Sequence, residues 1–177
     1  MGAITCPEHR QQPGRSAEEA VMMKLSIPGY GEVHLEHLVL DYNGTLACDG
    51  VLLPGVGEKL RILSNVVEVH VVTADTFGKV KEELDGLPCS VVVIPEENQG
   101  ETKRDFVKNL GSESVVSIGN GRNDGLMLQE AALGIALIQQ EGASTRSLQA
   151  ADVVARSISD ALELLLKPLR LTATLRS

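Results

Sequence analysis

The strongest constraint on this chain is a series of short aliphatic runs, at residues 38–40, 67–73, 89–94 and 114–118, each followed by a polar turn and an amphipathic segment. Runs that are apolar at nearly every position have no face to give to water. Separated by helices, they imply a parallel sheet covered on both sides. Periodicity predicts helices over 55–66, 76–84, 101–110, 123–132 and 157–166, the last stopped by Pro168. Residues 134–138 and 153–154 read as further strands. Residues 24–28 and 32–35 flank Gly29-Tyr30-Gly31 and read as a small hairpin leading into the first core strand. In such a sheet, functional residues gather beyond the carboxyl ends of the strands.

A length of 177 residues favours one domain with a real core. We divide it into a flexible leader (1–22), an α/β domain (23–167) and a C-terminal tail (168–177). A net charge of −8 and 2% aromatic residues argue against a nucleic-acid partner, which needs clustered cations and stacking rings. No apolar stretch approaches the ~20 residues of a spanning helix, so no membrane partner is expected. The first fifteen residues lack the apolar block of a secretory signal, which reads as a cytoplasmic protein. Cys6, Cys48 and Cys89 are too scattered for a disulfide framework. Cys6 and His9 combine on paper with His34 and His37 into a zinc set, but no second Cys accompanies either pair, and solvated side chains are the simpler reading.

Four polar features fall at strand ends: Asp41-Tyr42-Asn43-Gly44-Thr45-Leu46, Thr73-Ala74-Asp75, Lys103 at the start of a later helix, and Gly119-Asn120-Gly121-Arg122-Asn123-Asp124. Each alone has a bland reading as a turn, a cap or a solvated charge. Their order resembles the motif series of the haloacid dehalogenase (HAD) superfamily, over residues 38–138. Within it the chain is similar to small soluble proteins related to the phosphorylation domain of P-type ATPases. The resemblance implies a three-layer αβα sandwich with a Rossmann-like parallel sheet and little or no cap domain. It also implies phosphohydrolase or phosphotransferase activity with Mg²⁺.

On that resemblance Asp41 is the nucleophile and forms an aspartyl-phosphate. Thr73, Lys103 and backbone N–H groups near Gly44 and Ala74 cradle the phosphoryl group, whose charge must be met by fixed donors and a cation. Asp41, the Asn43 carbonyl, Asn120 and Asp124 hold the metal, an oxygen-donor set. Asn123 shapes the fourth loop and orients Lys103. Two positions depart from the family pattern. Asn43 stands where phosphatases carry a second Asp that protonates the leaving group, and Asn120 replaces an acidic metal ligand. An amide does neither acid nor base work at neutral pH, so a slow phosphatase is expected, or a non-catalytic or phosphoryl-holding regulatory protein on the same fold. Asp75 reads either as a site acid or as a helix cap, and Arg122 as an anion contact or a solvated charge. A receiver-type phosphoacceptor lacks its acidic pair here, and a dinucleotide fingerprint fails because the last glycine comes one residue late. With no room for a large cap, the site is expected to be open to a phosphorylated small molecule or protein, or to be covered by a neighbouring subunit of a homo-oligomer.

Overall fold

The computed structural model describes residues 22–75 and 78–177. Six parallel strands form the central sheet: β3 (His37–Leu40), β6 (Glu68–Thr73), β7 (Ser90–Val93), β8 (Val115–Gly119), β9 (Leu133–Leu137) and β10 (Val153–Ala155). Their order is β10-β9-β8-β3-β6-β7, so the strand that ends at Asp41 lies in the interior of the sheet. Register aligns Leu40 with Val71 on one side and Ile118 on the other. The chain therefore leaves β3, β6 and β8 at one common edge, which is where the polar motifs fall. This is the α/β, HAD-like architecture expected.

Alternation along β3 divides the core. Leu38 and Leu40 join one apolar cluster, whereas Val39 joins the other. The first face is covered by α1 (Val56–Leu63), through Val56, Leu60 and Leu63, and by α6 (Ile158–Leu166), through Ile158, Ala161, Leu162 and Leu165. Ser157 starts α6 by accepting the Asp160 N–H at 3.1 Å. The second face is covered by α3 (Gln99–Leu110) and α4 (Gly125–Glu130), where Val107 and Met127 pack with Val39 and Val72.

The hairpin forms as expected from β1 (Met23–Ile27) and β2 (Gly31–Leu35), with Gly29 at φ 81° in the turn. The structure departs from the sequence reading elsewhere. The first helix stops at Leu63, because Ser64 and Asn65 fold back onto the Arg61 carbonyl at 2.9 and 3.0 Å. The second is a single turn, α2 (Val80–Glu83), and the first two residues of its expected span, 76 and 77, lie outside the described residues. A two-strand ribbon, β4 (Ala47–Cys48) with β5 (Val51–Leu52), and α5 (Thr145–Ala150) are additional. The segment 168–177 is not a tail. Pro168 sits at the first position of α7 (Pro168–Leu175), where its missing N–H costs nothing, and Leu171 is buried against the β1–β2 side of the core. The leader, with Cys6 and His9, lies outside the described residues except for Met22.

Candidate active site

Asp41 follows β3 directly, and its N–H donates to the Ile118 carbonyl at 3.0 Å, anchoring it to β8. The chain then turns tightly: the Tyr42 carbonyl accepts from the N–H groups of Thr45, Leu46 and Ala47 at 2.8–3.2 Å. Gly44 makes this turn at φ 76°, and a Cβ there would stand 2.5 Å from the Asn120 amide, so both conformation and space require glycine. The first and fourth motifs are thus in contact.

Three charged side chains form the centre. The Lys103 ammonium, brought from the first half of α3, donates to Asp41 Oδ1 at 2.5 Å and to Asp124 Oδ1 at 2.7 Å. Lys103 and Asp124 are fully buried and Asp41 is nearly so, at 7% exposure. Asp124 Oδ2 accepts from the N–H groups of Asn120 and Gly121 at 3.0 and 2.7 Å, so this carboxylate both holds the loop and faces the lysine. A side chain at Gly119 would strike Asp124 at 2.6 Å, which explains the glycine at the end of β8.

Burial pushes the Asp41 carboxyl up to about 6; Asp124 adds to this and Lys103 opposes it. Burial alone would lower the Lys103 ammonium, yet Asp124 and then Asp41 outweigh it and hold the group above its ordinary value. The cluster therefore keeps a charged lysine between two carboxyl groups. On a chain of net charge −8, the buried ammonium offsets only one of the two carboxylates it pairs with and leaves the cluster itself acidic.

The other expected residues are placed as follows. Thr73 ends β6 at the same sheet edge, is buried, and accepts the Asp75 N–H at 3.1 Å; Ala74 follows it. The Asp75 carboxylate accepts from the N–H groups of Lys79 and Val80 at 3.0 and 3.1 Å, so it caps the start of α2. Asn120 accepts from the Thr45 hydroxyl at 3.2 Å and donates to the Gly142 carbonyl at 3.0 Å. Asn123 donates to Gln99 at 2.6 Å, at the first residue of α3; the bonds that orient Lys103 come from Asp41 and Asp124 instead. The buried Asn43 Oδ1 has no hydrogen-bond partner among the described residues. Arg122 lines an open groove of about 460 Å³ with Arg146, Asn123, Gln99 and Glu101.

Two residues that carry no sequence signal hold the loops. Gln139 donates to the carbonyls of Gly44 and Thr45, both at 2.7 Å, and accepts the Ile158 N–H at 2.9 Å. The Ser147 hydroxyl reaches the carbonyls of Asn120 and Gly121 at 2.8 and 2.9 Å. Neither belongs to a motif, and each acts across more than twenty residues.

No protein-family model matches the chain. An uncharacterized protein of Methanocaldococcus jannaschii is 46% identical over 69 residues, 39% of this chain and 74% of that protein. The soluble P-type ATPase-like phosphatase of the same organism is 29% identical over 144 residues, 77% of this chain; the chain spans 51% of that relative's length. Among solved structures, 3-deoxy-D-manno-octulosonate 8-phosphate phosphatase from Moraxella catarrhalis, in complex with magnesium and phosphate ions, aligns with a TM-score of 0.64 at 18% identity. It covers 75% of this chain and 86% of that one, a likeness of fold.

Proposed function

We propose that this chain is a haloacid dehalogenase superfamily member, a Mg²⁺-dependent phosphohydrolase or phosphotransferase that works through an aspartyl-phosphate on Asp41; its similarity to the soluble P-type ATPase-like phosphatase and its fold support this reading. The observation that carries this reading is the buried Asp41–Lys103–Asp124 cluster at the carboxyl edge of the sheet. A solvated charge or a turn residue does not call for two carboxylates gathered around one ammonium.

The donor chemistry fits a hard cation. Asp41, Asp124, Asn120 and the Asn43 main-chain carbonyl offer only oxygen, and the unpaired buried amide oxygen of Asn43 is a polar atom left for a group outside the protein. When bound, the ion supplies positive charge between the nucleophile and the phosphoryl oxygens. Lys103 holds Asp41 Oδ1, which leaves the other carboxylate oxygen to attack phosphorus as the bond to the leaving oxygen breaks. Thr73, Lys103 and N–H groups near Gly44 and Ala74 receive the equatorial oxygens. Water then attacks the phosphorus of the aspartyl-phosphate, releasing inorganic phosphate and restoring the carboxylate. Asn43 has no titratable proton, so the leaving group takes its proton from solvent and the attacking water has no base.

General acid–base help is worth about 10²–10⁴ in rate. Its absence favours phosphate esters with good leaving groups and a long-lived phosphoprotein, which also supports the reading of a phosphoryl-holding regulatory protein. The substrate class is a phosphorylated small molecule or protein. The test is hydrolysis of p-nitrophenyl phosphate with and without Mg²⁺, by the native chain and by Asp41→Asn. Metal-dependent release that disappears in Asp41→Asn supports the enzyme; equal rates in both refute it. A stoichiometric acyl phosphate on Asp41 without turnover selects the phosphoryl-holding protein.

A further inference from the structure

At the opposite, amino end of the sheet lies a cluster that the proposed phosphoryl chemistry does not use. His37 begins β3 and pairs in register with Glu68, the first residue of β6. His70 is two residues further along β6 and therefore on the same face, and Ser90 of β7 stands opposite His70. His37 Nδ1 is 3.2 Å from His70 Nε2 and 3.5 Å from Glu68 Oε2, and His70 Nε2 is 3.9 Å from that same oxygen. Donors around a tetrahedral ion with bonds of ~2.0–2.1 Å are separated by roughly 3.3–3.4 Å. The three atoms already form a triangle of about that size.

We propose that His37, Glu68 and His70 form a second metal site, for a borderline divalent cation of the Zn²⁺ class, separate from the oxygen-donor site at Asp41. Two imidazoles and one carboxylate suit Zn²⁺ over Mg²⁺. The surroundings are built for ligation. The Ser90 hydroxyl donates to the Val69 carbonyl at 3.4 Å, which leaves its oxygen to accept the Nδ1–H of His70 at 2.8 Å. That assignment leaves Nε2 of His70 with its lone pair toward the cluster, the arrangement by which an outer hydrogen bond sets a ligating histidine. Phe106 of α3 packs edge-on to the His70 ring, at 5.6 Å between centroids, and fixes its plane. Burial and then the neighbouring His37 hold the His70 imidazole below its ordinary value.

The imidazoles are 15% and 12% exposed, while Glu68, at 69%, faces solvent beside a groove of about 480 Å³ lined by His70, Cys89 and Ser90. Three protein ligands leave a fourth position to water or to a ligand in that groove. The ion would tie the first residues of two central strands.

The experiment is a calorimetric titration of the untagged, EDTA-stripped full-length chain with Zn²⁺ in excess Mg²⁺. One Zn²⁺ site per chain is expected, unchanged in Asp41→Asn and in Cys48→Ser. It should weaken by about 100-fold or more in His70→Gln and about tenfold in Ser90→Ala, where only the outer hydrogen bond is lost. Glu68→Gln, at an exposed position that cannot compromise folding, should also weaken it and decides the matter if His70→Gln does not fold. Absence of Zn²⁺ binding, or equal affinity in the native chain and Glu68→Gln, overturns the proposal. The test does not depend on the phosphoryl chemistry proposed for Asp41.

Discussion

Replacing Lys103 by Met keeps the length of the stem and removes the ammonium that lies 2.5 Å from Asp41 and 2.7 Å from Asp124. The two carboxylates then face each other in a buried site with no counterion. At ~5 Å and an effective dielectric near 20, their repulsion is about 3 kcal/mol, and breaking a buried pair by removing one partner typically costs about 3–5 kcal/mol. The protein can limit this loss by binding a proton, since Asp41 is already raised to about 6 with the lysine in place. Holding a carboxyl protonated against its unfolded value costs about 1.4 kcal/mol per pH unit, hence about 5 kcal/mol near pH 7.5 and about 2 near pH 5.5.

The sign follows. In Lys103→Met the folded carboxyl pair binds more protons than the unfolded chain between the unfolded aspartate value and the raised folded one. Stability relative to the native protein therefore recovers as pH falls through that window. Urea unfolding followed by circular dichroism in EDTA should show a loss of about 3–5 kcal/mol near pH 7.5, a midpoint shift of roughly 2 M. The loss should shrink toward about 2 kcal/mol near pH 5.5, and Lys103→Met combined with Asp41→Asn should recover a substantial part of it at the higher pH. A loss below about 1 kcal/mol at pH 7.5, or one independent of pH, would refute the argument that a buried, charge-compensated triad organises this site.

Asn43→Asp should increase turnover of p-nitrophenyl phosphate by at least about tenfold, and of alkyl phosphates by more, because it restores a titratable group worth up to about 10²–10⁴; kcat no higher than that of the native chain would count against the handicap assigned to the amide. Glu163 is held down to about 2, first by its hydrogen bond from Lys167 and then by Lys59. The stability it contributes is complete above its ordinary value near 4.5 and is lost as pH falls through about 2. Thermal unfolding of Glu163→Gln across acid pH should accordingly show a flatter decline than that of the native chain, and identical slopes would show the cluster with Lys59, Lys167 and Arg170 to be energetically idle.

The division between local and long-range information is visible in particular residues. The position of Asp41 is legible because an aliphatic run stops at a carboxylate followed by Asn43-Gly44, a turn whose chemistry is local. The same holds for Gly119 to Asp124 after β8. Helix 168–175 was obscured by the proline that starts it, since proline both ends one helix and begins another. Gln139 and Ser147 were invisible: a lone amide and a hydroxyl have no periodicity, and their partners lie 94 and 27 residues away.

By itself, then, the sequence determines the alternation of strands and helices and which polar residues stand at strand ends, because hydrophobic period and turn chemistry act over a few neighbours. Tertiary structure decides what those residues meet. Parallel register places Asp41, Thr73 and Gly119 at one edge of the sheet, and α3 carries Lys103 across 62 residues to Asp41, where burial converts two carboxylates and an ammonium into a coupled unit. The same register gathers His37, Glu68, His70 and Ser90 at the opposite edge, a juxtaposition no local pattern encodes, because each of the three strands contributes its residues independently and only their alignment brings the donor atoms together.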